Sequence, residues 1–242
     1  MAVIPARYRS SRLPGKPLAD ISGRPMVEHV YRRAQAAASL AEVLVATDDE
    51  RIRDAVLRFG GNVRMTAANH GSGTERLAEA VRELRCDIVV NVQADEPLVE
   101  PAAIDATVEA LRESSDAPMS TARCALADSA ELADRNVVKV VVDVEGYALY
   151  FSRAAIPYRI AAGDGVPDGV YKHVGLYAYR RNFLLHIAAL EPTPLERVER
   201  LEQLRVLEHG YRLRTVSISG APVGVDTPED LERVRGLIAN GA

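Results

Sequence analysis

The sequence predicts an α/β fold built on a mostly parallel central sheet. In the first hundred residues, short apolar runs at 2–6, 42–47 and 87–92 alternate with segments of helical periodicity at 25–37, 49–59 and 75–85. Strands that alternate with helices are typical of βαβ units, in which the strands lie parallel. With 242 residues, of which 48% are hydrophobic, the chain can form one large domain covering 1–242.

Individual residues support the predicted helix starts. Pro25 suits a first helical position, where its missing N–H is not needed. Asp48 or Asp49 can cap the helix that follows the second strand. Near the end of the chain, Thr227 is expected to open a last helix with Pro228 in its first turn.

The middle of the chain differs from this pattern. The segments 137–153 and 172–180 are β-rich, with little helical periodicity between them. Helices are predicted again at 181–190 and 195–209, followed by a strand at 212–218. The sequence therefore predicts that a smaller β-rich region, about 125–180, is inserted into the domain, and that a ligand binds in the cleft between them.

Composition excludes several classes of protein. No apolar run approaches the ~18 residues that a membrane span needs, and cations from Arg7 to Lys16 interrupt any signal sequence. Two cysteines are too few for a disulfide framework. A net charge of −4 argues against nucleic acid as a partner. We expect a cytoplasmic protein with no membrane partner.

A basic loop follows the first predicted strand. The stretch IPARYRSSRLPGKPL, residues 4–18, contains Arg7, Arg9, Arg12 and Lys16, and no acid occurs before Asp20. Ligands of open parallel sheets bind beyond the carboxyl ends of the strands, where this loop begins. Arginine and lysine suit phosphate oxygens, so the loop is expected to bind a small anion; the alternative is a solvated basic loop. It is not a Walker loop, because G-x-x-x-x-G-K-[ST] is absent.

Three acidic or polar segments complete the pattern. Asp95 follows a strand in NVQADEP and Asp226 precedes a helix in GVDTPEDLE, so the two carboxylates could hold a hard cation beside phosphate oxygens. The alternatives are a turn residue and a neighbour of a helix cap. NHGSGTER, residues 69–76, suits either a loop that binds a base or ribose or a plain capping loop.

Taken together, these segments resemble a known family. ATDDERI, HGSGTERLAEA, VQADEP, ALYFSRAAIP, KHVGLYAYR, LERVERLEQLRVLEHG and VDTPEDLERVR, with the basic loop, resemble in order the 3-deoxy-manno-octulosonate cytidylyltransferases, or CMP-KDO synthetases. The resemblance implies a Rossmann-like nucleotidyltransferase fold with helices on both faces of the sheet. It also implies a homodimer, formed through the smaller β-rich region. The implied reaction is Mg²⁺-dependent: CTP and 3-deoxy-D-manno-octulosonate (KDO) give CMP-KDO and pyrophosphate, which activates KDO for lipopolysaccharide synthesis.

The resemblance also implies roles for individual residues. Lys16, Arg12 and Asp95 correspond to catalytic residues, and Asp95 and Asp226 to the metal ligands. The residues that match CTP-binding positions are Arg7, Arg12, Lys16, Ser72, Gly73, Thr74 and Arg76. Those that match positions around KDO are Gln93, Arg153, His173, Tyr177, Glu202 and Gln203. One residue departs from the family, since Ala94 stands where glycine is usual; a φ below zero would accommodate it.

Two other functions fit parts of this pattern. The nearest is a cytidylyltransferase for sialic acid or for an amino-substituted KDO. The other is a catalytically inactive sensor of sugar nucleotides, although a sensor has no need of Lys16, Asp95 and Asp226 together.

Overall fold

The computed structural model describes residues 1–9, 13–158, 160 and 165–241. Its strands are β1 Ala2–Ala6, β2 Asp20–Ile21, β3 Arg24–Pro25, β4 Val43–Thr47, β5 Val63–Met65, β6 Ile88–Asn91, β7 Met119–Cys124, β8 Lys139–Val142, β9 Ala148–Ser152, β10 Val170–Arg180 and β11 Leu213–Ser217. Its α-helices are α1 Met26–Gln35, α2 Glu50–Arg58, α3 Gly73–Val81, α4 Pro101–Glu113, α5 Ser129–Ala133, α6 Arg181–Ile187, α7 Pro194–Glu199, α8 Leu204–Glu208 and α9 Pro228–Ala239. A short 3₁₀ helix spans Lys16–Leu18. The predicted α/β class, with a sheet that is mostly parallel, is confirmed.

The chain divides into two compact units. The first unit comprises Met1–Asp105 and Pro222–Ala242, and the second comprises Ala106–Ala221. In the first unit the strand order is β6-β1-β4-β5, and each neighbouring pair is parallel. Ala6 at the end of β1 pairs with Thr47 at the end of β4, so the loops that follow both strands leave at one edge of the sheet.

The second unit has a mixed sheet. Strand β11 lies parallel to β7, whereas β7 with β10, β10 with β8 and β8 with β9 are antiparallel. Polar residues Ser120 and Thr121 are buried within β7, where their hydroxyls donate to backbone carbonyl oxygens. Such internal hydrogen bonds allow a strand that does not look apolar to lie in a core.

The predicted helix at 195–209 is wrong, because the structure has two helices there. Helix α7 ends at Glu199, and Arg200 then adopts the left-handed conformation with φ 55° and ψ 50°. The segment 137–153, predicted to be β-rich, contains the two strands β8 and β9. They are joined by a turn in which Asp143 accepts hydrogen bonds from the N–H groups of Glu145 and Tyr147. Elements that the sequence analysis missed include β2, β3, β5, α4, β7 and α5.

The predicted helix starts are largely confirmed. Asp49 caps α2 by accepting a hydrogen bond from Arg51 N, and Thr227 caps α9. Pro25 lies one residue earlier than expected, as the N-cap of α1. Among the described helices, none is long and apolar enough to cross a membrane.

Candidate nucleotide and acid-sugar sites

The basic loop of the first unit is closed by its own backbone. Gly15 N donates to Tyr8 O at 2.9 Å, with Gly15 at φ 72°. A Cβ at Gly15 would lie 3.1 Å from ring atoms of Tyr8, and the Arg51 guanidinium lies 3.3 Å from the centroid of the same ring. Glycine is therefore favoured here both by the backbone conformation and by the close approach of Tyr8. The predicted loop residue Arg12 lies outside the described residues.

Lys16 begins the 3₁₀ helix and joins the two aspartates. Its Nζ atom donates to Asp95 Oδ2 at 2.6 Å and to Asp226 Oδ1 at 3.1 Å. Burial acts to lower the pKa of Lys16, but the charges and hydrogen bonds of the two carboxylates outweigh burial, so its pKa is raised. The ammonium group is therefore charged at neutral pH.

Asp226 is not the residue that caps α9. Thr227 accepts a hydrogen bond from Asp230 N, and Asp230 Oδ2 accepts one from Thr227 N, which completes a capping box without the Asp226 carboxylate. Val225 N donates to Asp95 O at 2.8 Å, and the Val225 side chain is buried in a cluster with Leu231. These contacts place Asp226 beside Asp95, although 131 positions separate them in the sequence.

The two aspartates fit a magnesium ion that is shared with phosphates. Their side chains are 34% and 49% exposed, so water and a ligand can reach them. Magnesium ions usually take one or two protein carboxylates and complete six-fold coordination with water and phosphate oxygens. Within the described residues there is no group of three or more His, Cys, Asp or Glu side chains able to hold a metal without such help. The pair already holds a cation, since it binds the Lys16 ammonium.

The predicted nucleotide segment lies near Arg7. The Arg7 guanidinium donates to His70 O at 2.9 Å, which ties the end of β1 to the start of this segment. Ser72 is the N-cap of α3, because its Oγ accepts from Glu75 N at 3.2 Å. Gly73 and Thr74 form the first turn of that helix. Of the two interpretations of residues 69–76, the Ser72 hydroxyl therefore fits the capping loop.

Arg76 differs from the other predicted nucleotide residues. Its side chain is fully buried, where it donates to Thr66 Oγ1 and lies 3.3 Å from Asp48 Oδ1. Burial lowers the pKa of Arg76, and the nearby charge of Arg7 also acts to lower it. Arg76 therefore links α3 to the residues that follow β4 and β5.

The segment after β6 contains one feature that the sequence analysis missed. Glu96 Oε2 is buried and has no hydrogen-bond partner in the described part of the chain. Burial, helped by the Asp95 charge, raises the pKa of Glu96 from 4.5 to about 8, so this carboxyl is mostly neutral at pH 7. Gln93 is half-buried, and Ala94 is buried without a positive φ, so its backbone conformation tolerates the methyl group.

In the second unit, Arg153 is held by backbone carbonyl groups. Its Nε donates to Glu199 O at 2.9 Å and its Nη1 donates to Arg135 O at 3.2 Å. No described residue accepts a hydrogen bond from Nη2. The guanidinium therefore retains donors for an anionic ligand.

His173 is a neutral hydrogen-bonding group. Burial lowers the pKa of His173 from 6.5 to about 3. Thr121 Oγ1 lies 3.0 Å from His173 Nε2, and its single hydrogen is directed to the carbonyl oxygens of Val174 and Leu176. Nε2 must then be the donor, which leaves Nδ1 as an acceptor. The Tyr177 ring lies 5.4 Å from the His173 ring, so the structure brings these two predicted residues together.

Glu202 and Gln203 follow the left-handed residue Arg200. Glu202 is exposed, whereas Gln203 is only 5% exposed. The Nε2 atom of Gln203 is buried without a hydrogen-bond partner among the residues that the structure describes. Because buried donors are nearly always paired, this one indicates that a ligand or water supplies the acceptor.

Comparisons with known proteins identify the family of the chain. The cytidylyltransferase family model matches residues 1–216. The 3-deoxy-manno-octulosonate cytidylyltransferase of Geobacter metallireducens is 52% identical over 241 residues, covering 96% of this chain and 95% of the relative. The enzyme of the same name from Syntrophotalea carbinolica is 52% identical over 239 residues, covering 96% of each chain.

A solved structure is also closely similar. It is a CMP:2-keto-3-deoxy-manno-octonic acid synthetase complexed with CTP, which is 45% identical to this chain with a TM-score of 0.93. The match covers 100% of this chain and 98% of the other, so the fold is shared throughout. The chain therefore belongs to the cytidylyltransferase family, among the 3-deoxy-manno-octulosonate cytidylyltransferases.

Proposed function

We propose that this protein transfers CMP from CTP to KDO, giving CMP-KDO and pyrophosphate and so activating KDO for lipopolysaccharide synthesis. The observation that supports this most directly is the contact of Lys16 with both Asp95 and Asp226 at the edge of the parallel sheet. A phosphate-binding lysine beside two carboxylates suits a triphosphate with its divalent cation. Relatives about half identical over nearly the whole chain have this activity in their names.

The first unit provides the triphosphate side of the reaction. The 2-hydroxyl oxygen of KDO bonds to the α-phosphorus of CTP, the bond from that phosphorus to the bridging oxygen breaks, and pyrophosphate leaves with the negative charge. Arg7, Arg12 and Lys16 would neutralise and orient the phosphate oxygens, which is electrostatic catalysis. The hydroxyl proton passes to water as the new P–O bond forms.

Asp95 and Asp226 would hold Mg²⁺. When bound, Mg²⁺ supplies positive charge to the phosphate oxygens and lowers the pKa of a nearby hydroxyl. For the protein this means that Lys16 has to exchange its two carboxylate partners for phosphate oxygens. A lysine side chain is suited to that exchange, because it is a flexible point charge with rotatable donors.

The second unit provides groups that suit an acid sugar. Arg153 can donate a charge-assisted hydrogen bond to the KDO carboxylate. His173 Nδ1 can accept a hydrogen bond from a sugar hydroxyl, and Gln203 Nε2 can donate one. Tyr177, Glu202 and, from the first unit, Gln93 are proposed as further sugar contacts.

A pyrophosphate-release assay with four nucleotides and a panel of acid sugars tests this function. We expect CTP with KDO to be the best pair, Mg²⁺ to be required, and mass spectrometry to identify CMP-KDO as the product. Equal kcat/KM for UTP would contradict the nucleotide assignment, and a preference for sialic acid or amino-substituted KDO would correct the sugar.

We also propose that two copies of the chain form a homodimer. Leu149 and Val198 in the second unit are large apolar side chains that are exposed in the single chain. A second copy of the chain would cover such residues, in line with a cytoplasmic homodimer. Light scattering at micromolar concentration should give about twice the 26.3 kDa mass of one chain, and the single-chain mass would refute the dimer.

A further inference from the structure

Arg153 is surrounded by an unusual number of supporting hydrogen bonds. Besides the two bonds from its guanidinium to carbonyl oxygens, its backbone N–H donates to Glu199 Oε2 at 2.9 Å. Its own carbonyl oxygen accepts from Lys139 Nζ at 2.8 Å. Both the main chain and the side chain of Arg153 are therefore fixed by neighbours.

Glu199 makes the central contribution to this arrangement. Its Oε1 accepts from Ser152 Oγ at 2.6 Å while Oε2 accepts from Arg153 N, so one carboxylate holds two consecutive residues. Its backbone carbonyl accepts from Arg153 Nε. That carbonyl is available because α7 ends at Glu199, where Arg200 turns into the left-handed conformation.

Lys139 holds the same residue from the other side. The side chain is 0% exposed, and Nζ donates to the carbonyl oxygens of Asp134 at 2.7 Å, of Val137, and of Arg153. A buried ammonium whose three hydrogens all meet carbonyl oxygens has no donor left for a ligand. Lys139 therefore acts on the site only through the backbone that it binds.

We propose that Glu199 and Lys139 are positioning residues that fix Arg153 in the orientation needed to bind the carboxylate of an acid sugar. This inference depends on the proposed function, because Arg153 must contact the sugar acid. An arginine with several rotatable bonds loses much conformational entropy when it binds, and fixing it beforehand removes that loss from the binding step. Lys139 and Glu199 should therefore affect affinity for the sugar without touching it.

The test measures KM for KDO and for CTP separately in Glu199→Ala, Glu199→Gln, Arg153→Ala and the double variant Glu199→Ala with Arg153→Ala. We expect Glu199→Ala to raise KM for KDO at least about fivefold, with KM for CTP changed less than about twofold. Glu199→Gln should have a smaller effect, since its amide oxygen still accepts one hydrogen bond. If Glu199→Ala does not fold at 25 °C, as judged by circular dichroism, Glu199→Gln takes its place in the comparison.

Glu131→Ala is the matched control. Like Glu199, Glu131 accepts one backbone hydrogen bond, from Ala127 N at 2.9 Å, and one from a side chain, Lys172 Nζ at 2.6 Å. It has no contact with Arg153 among the described residues, so its loss should leave KM for KDO unchanged. An equal rise in KM for KDO in this control would overturn the positioning role.

The double variant separates this inference from the proposed function. Because Glu199 acts through Arg153, adding Glu199→Ala to Arg153→Ala should change KM for KDO less than about twofold. Additive effects, or a rise in both KM values in Glu199→Ala, would refute positioning while leaving the role of Arg153 intact. If Arg153→Ala itself leaves KM for KDO unchanged, the proposed contact with the sugar acid is the part that fails.

Discussion

Lys16 in the first unit and Arg153 in the second unit are held in different ways. In the first unit, Lys16 is bound by two side-chain carboxylates, which are themselves partly open to solvent. In the second unit, Arg153 and Lys139 are bound largely by backbone carbonyl oxygens. Side-chain partners can be exchanged when a ligand arrives, whereas backbone partners stay with the fold.

This difference corresponds to the two ligands that we propose. A triphosphate enters with a divalent cation, so the protein must rearrange charges, and the contacts of Lys16 with Asp95 and Asp226 can be replaced one by one. An acid sugar brings a single carboxylate, for which a guanidinium held in place is sufficient. Predictions that separate exchangeable charges from fixed ones therefore test the proposed function directly.

The largest effect is expected at the exchangeable carboxylates. Asp95→Asn and Asp226→Asn should each lower kcat/KM at least about 100-fold, because the amide keeps the shape but removes the charge that we propose binds Mg²⁺. The double variant should cost little more than the worse single one, since the two act as a unit. Thermal melting should change little for Asp226→Asn, because Thr227 and Asp230 cap α9.

The control for this prediction is Asp54→Asn, a surface aspartate that pairs only with neighbouring Arg53 in the described structure. It should retain full activity. If Asp226→Asn is active and merely less stable, Asp226 supports the helix start, and the metal would be held by Asp95 and the triphosphate.

At the fixed cation, Arg153→Ala should change one substrate constant and not the other. Loss of a charge-assisted hydrogen bond costs roughly 1.5–3 kcal/mol, which corresponds to about a ten- to hundredfold rise in KM for KDO. KM for CTP should stay within about twofold, since the predicted nucleotide residues belong to the first unit. Steady-state kinetics with each substrate varied in turn decide the point. A rise in KM for CTP instead would mean that the first unit does not bind CTP, and the second unit KDO, independently of each other.

The half-buried His173 predicts an acid sensitivity in the second unit. The pKa of His173 is about 3 in the folded protein and 6.5 in the unfolded chain. The unfolded chain therefore binds a proton on this side chain more readily. The free energy of unfolding therefore decreases as the pH falls below 6.5, and the decrease is about 2 kcal/mol at pH 5. Urea unfolding at pH 7 and pH 5 should show this loss in the wild type and not in His173→Gln. An equal loss in the variant would assign the acid sensitivity to other groups.

The sequence predicted the first unit well because its signals are local and apolar. Buried runs identified β1, β4 and β6, and parallel strands bring their carboxyl ends to one edge, which is why Lys16 and Asp95 could be expected to meet. Strand β7 was missed because Ser120 and Thr121 are polar and lie buried through hydrogen bonds to carbonyl groups. The break at Arg200 was missed because a left-handed arginine has no sequence signal of the kind that glycine gives.

The supporting residues of the second unit could not be predicted for a related reason. Lys139 binds only carbonyl oxygens, which every residue possesses, so no pattern of side chains indicates its partners. Glu199 also lies in a charged helix, where an acidic residue is ordinarily a solvated one. Only the fold brings Glu199 to the consecutive residues Ser152 and Arg153.

The smallest expected effect concerns the closure of the basic loop, and it compares two glycines. Gly15 and Gly60 share a left-handed backbone, with φ 72° and 77°, but a Cβ at Gly15 would meet the Tyr8 ring, whereas nothing lies within 4 Å at Gly60. Gly60→Ala should therefore lower the free energy of unfolding by about 1 kcal/mol through backbone strain alone.

Gly15→Ala should lower the free energy of unfolding by somewhat more. It should also weaken CTP binding in calorimetry, because displacing Tyr8 shifts the loop that presents Arg7 and Lys16. Gly60→Ala should bind CTP normally. If both variants bind CTP equally well, the loop adapts to its ligand. The Gly15–Tyr8 contact is then not needed for Lys16 to exchange its carboxylate partners for phosphate oxygens.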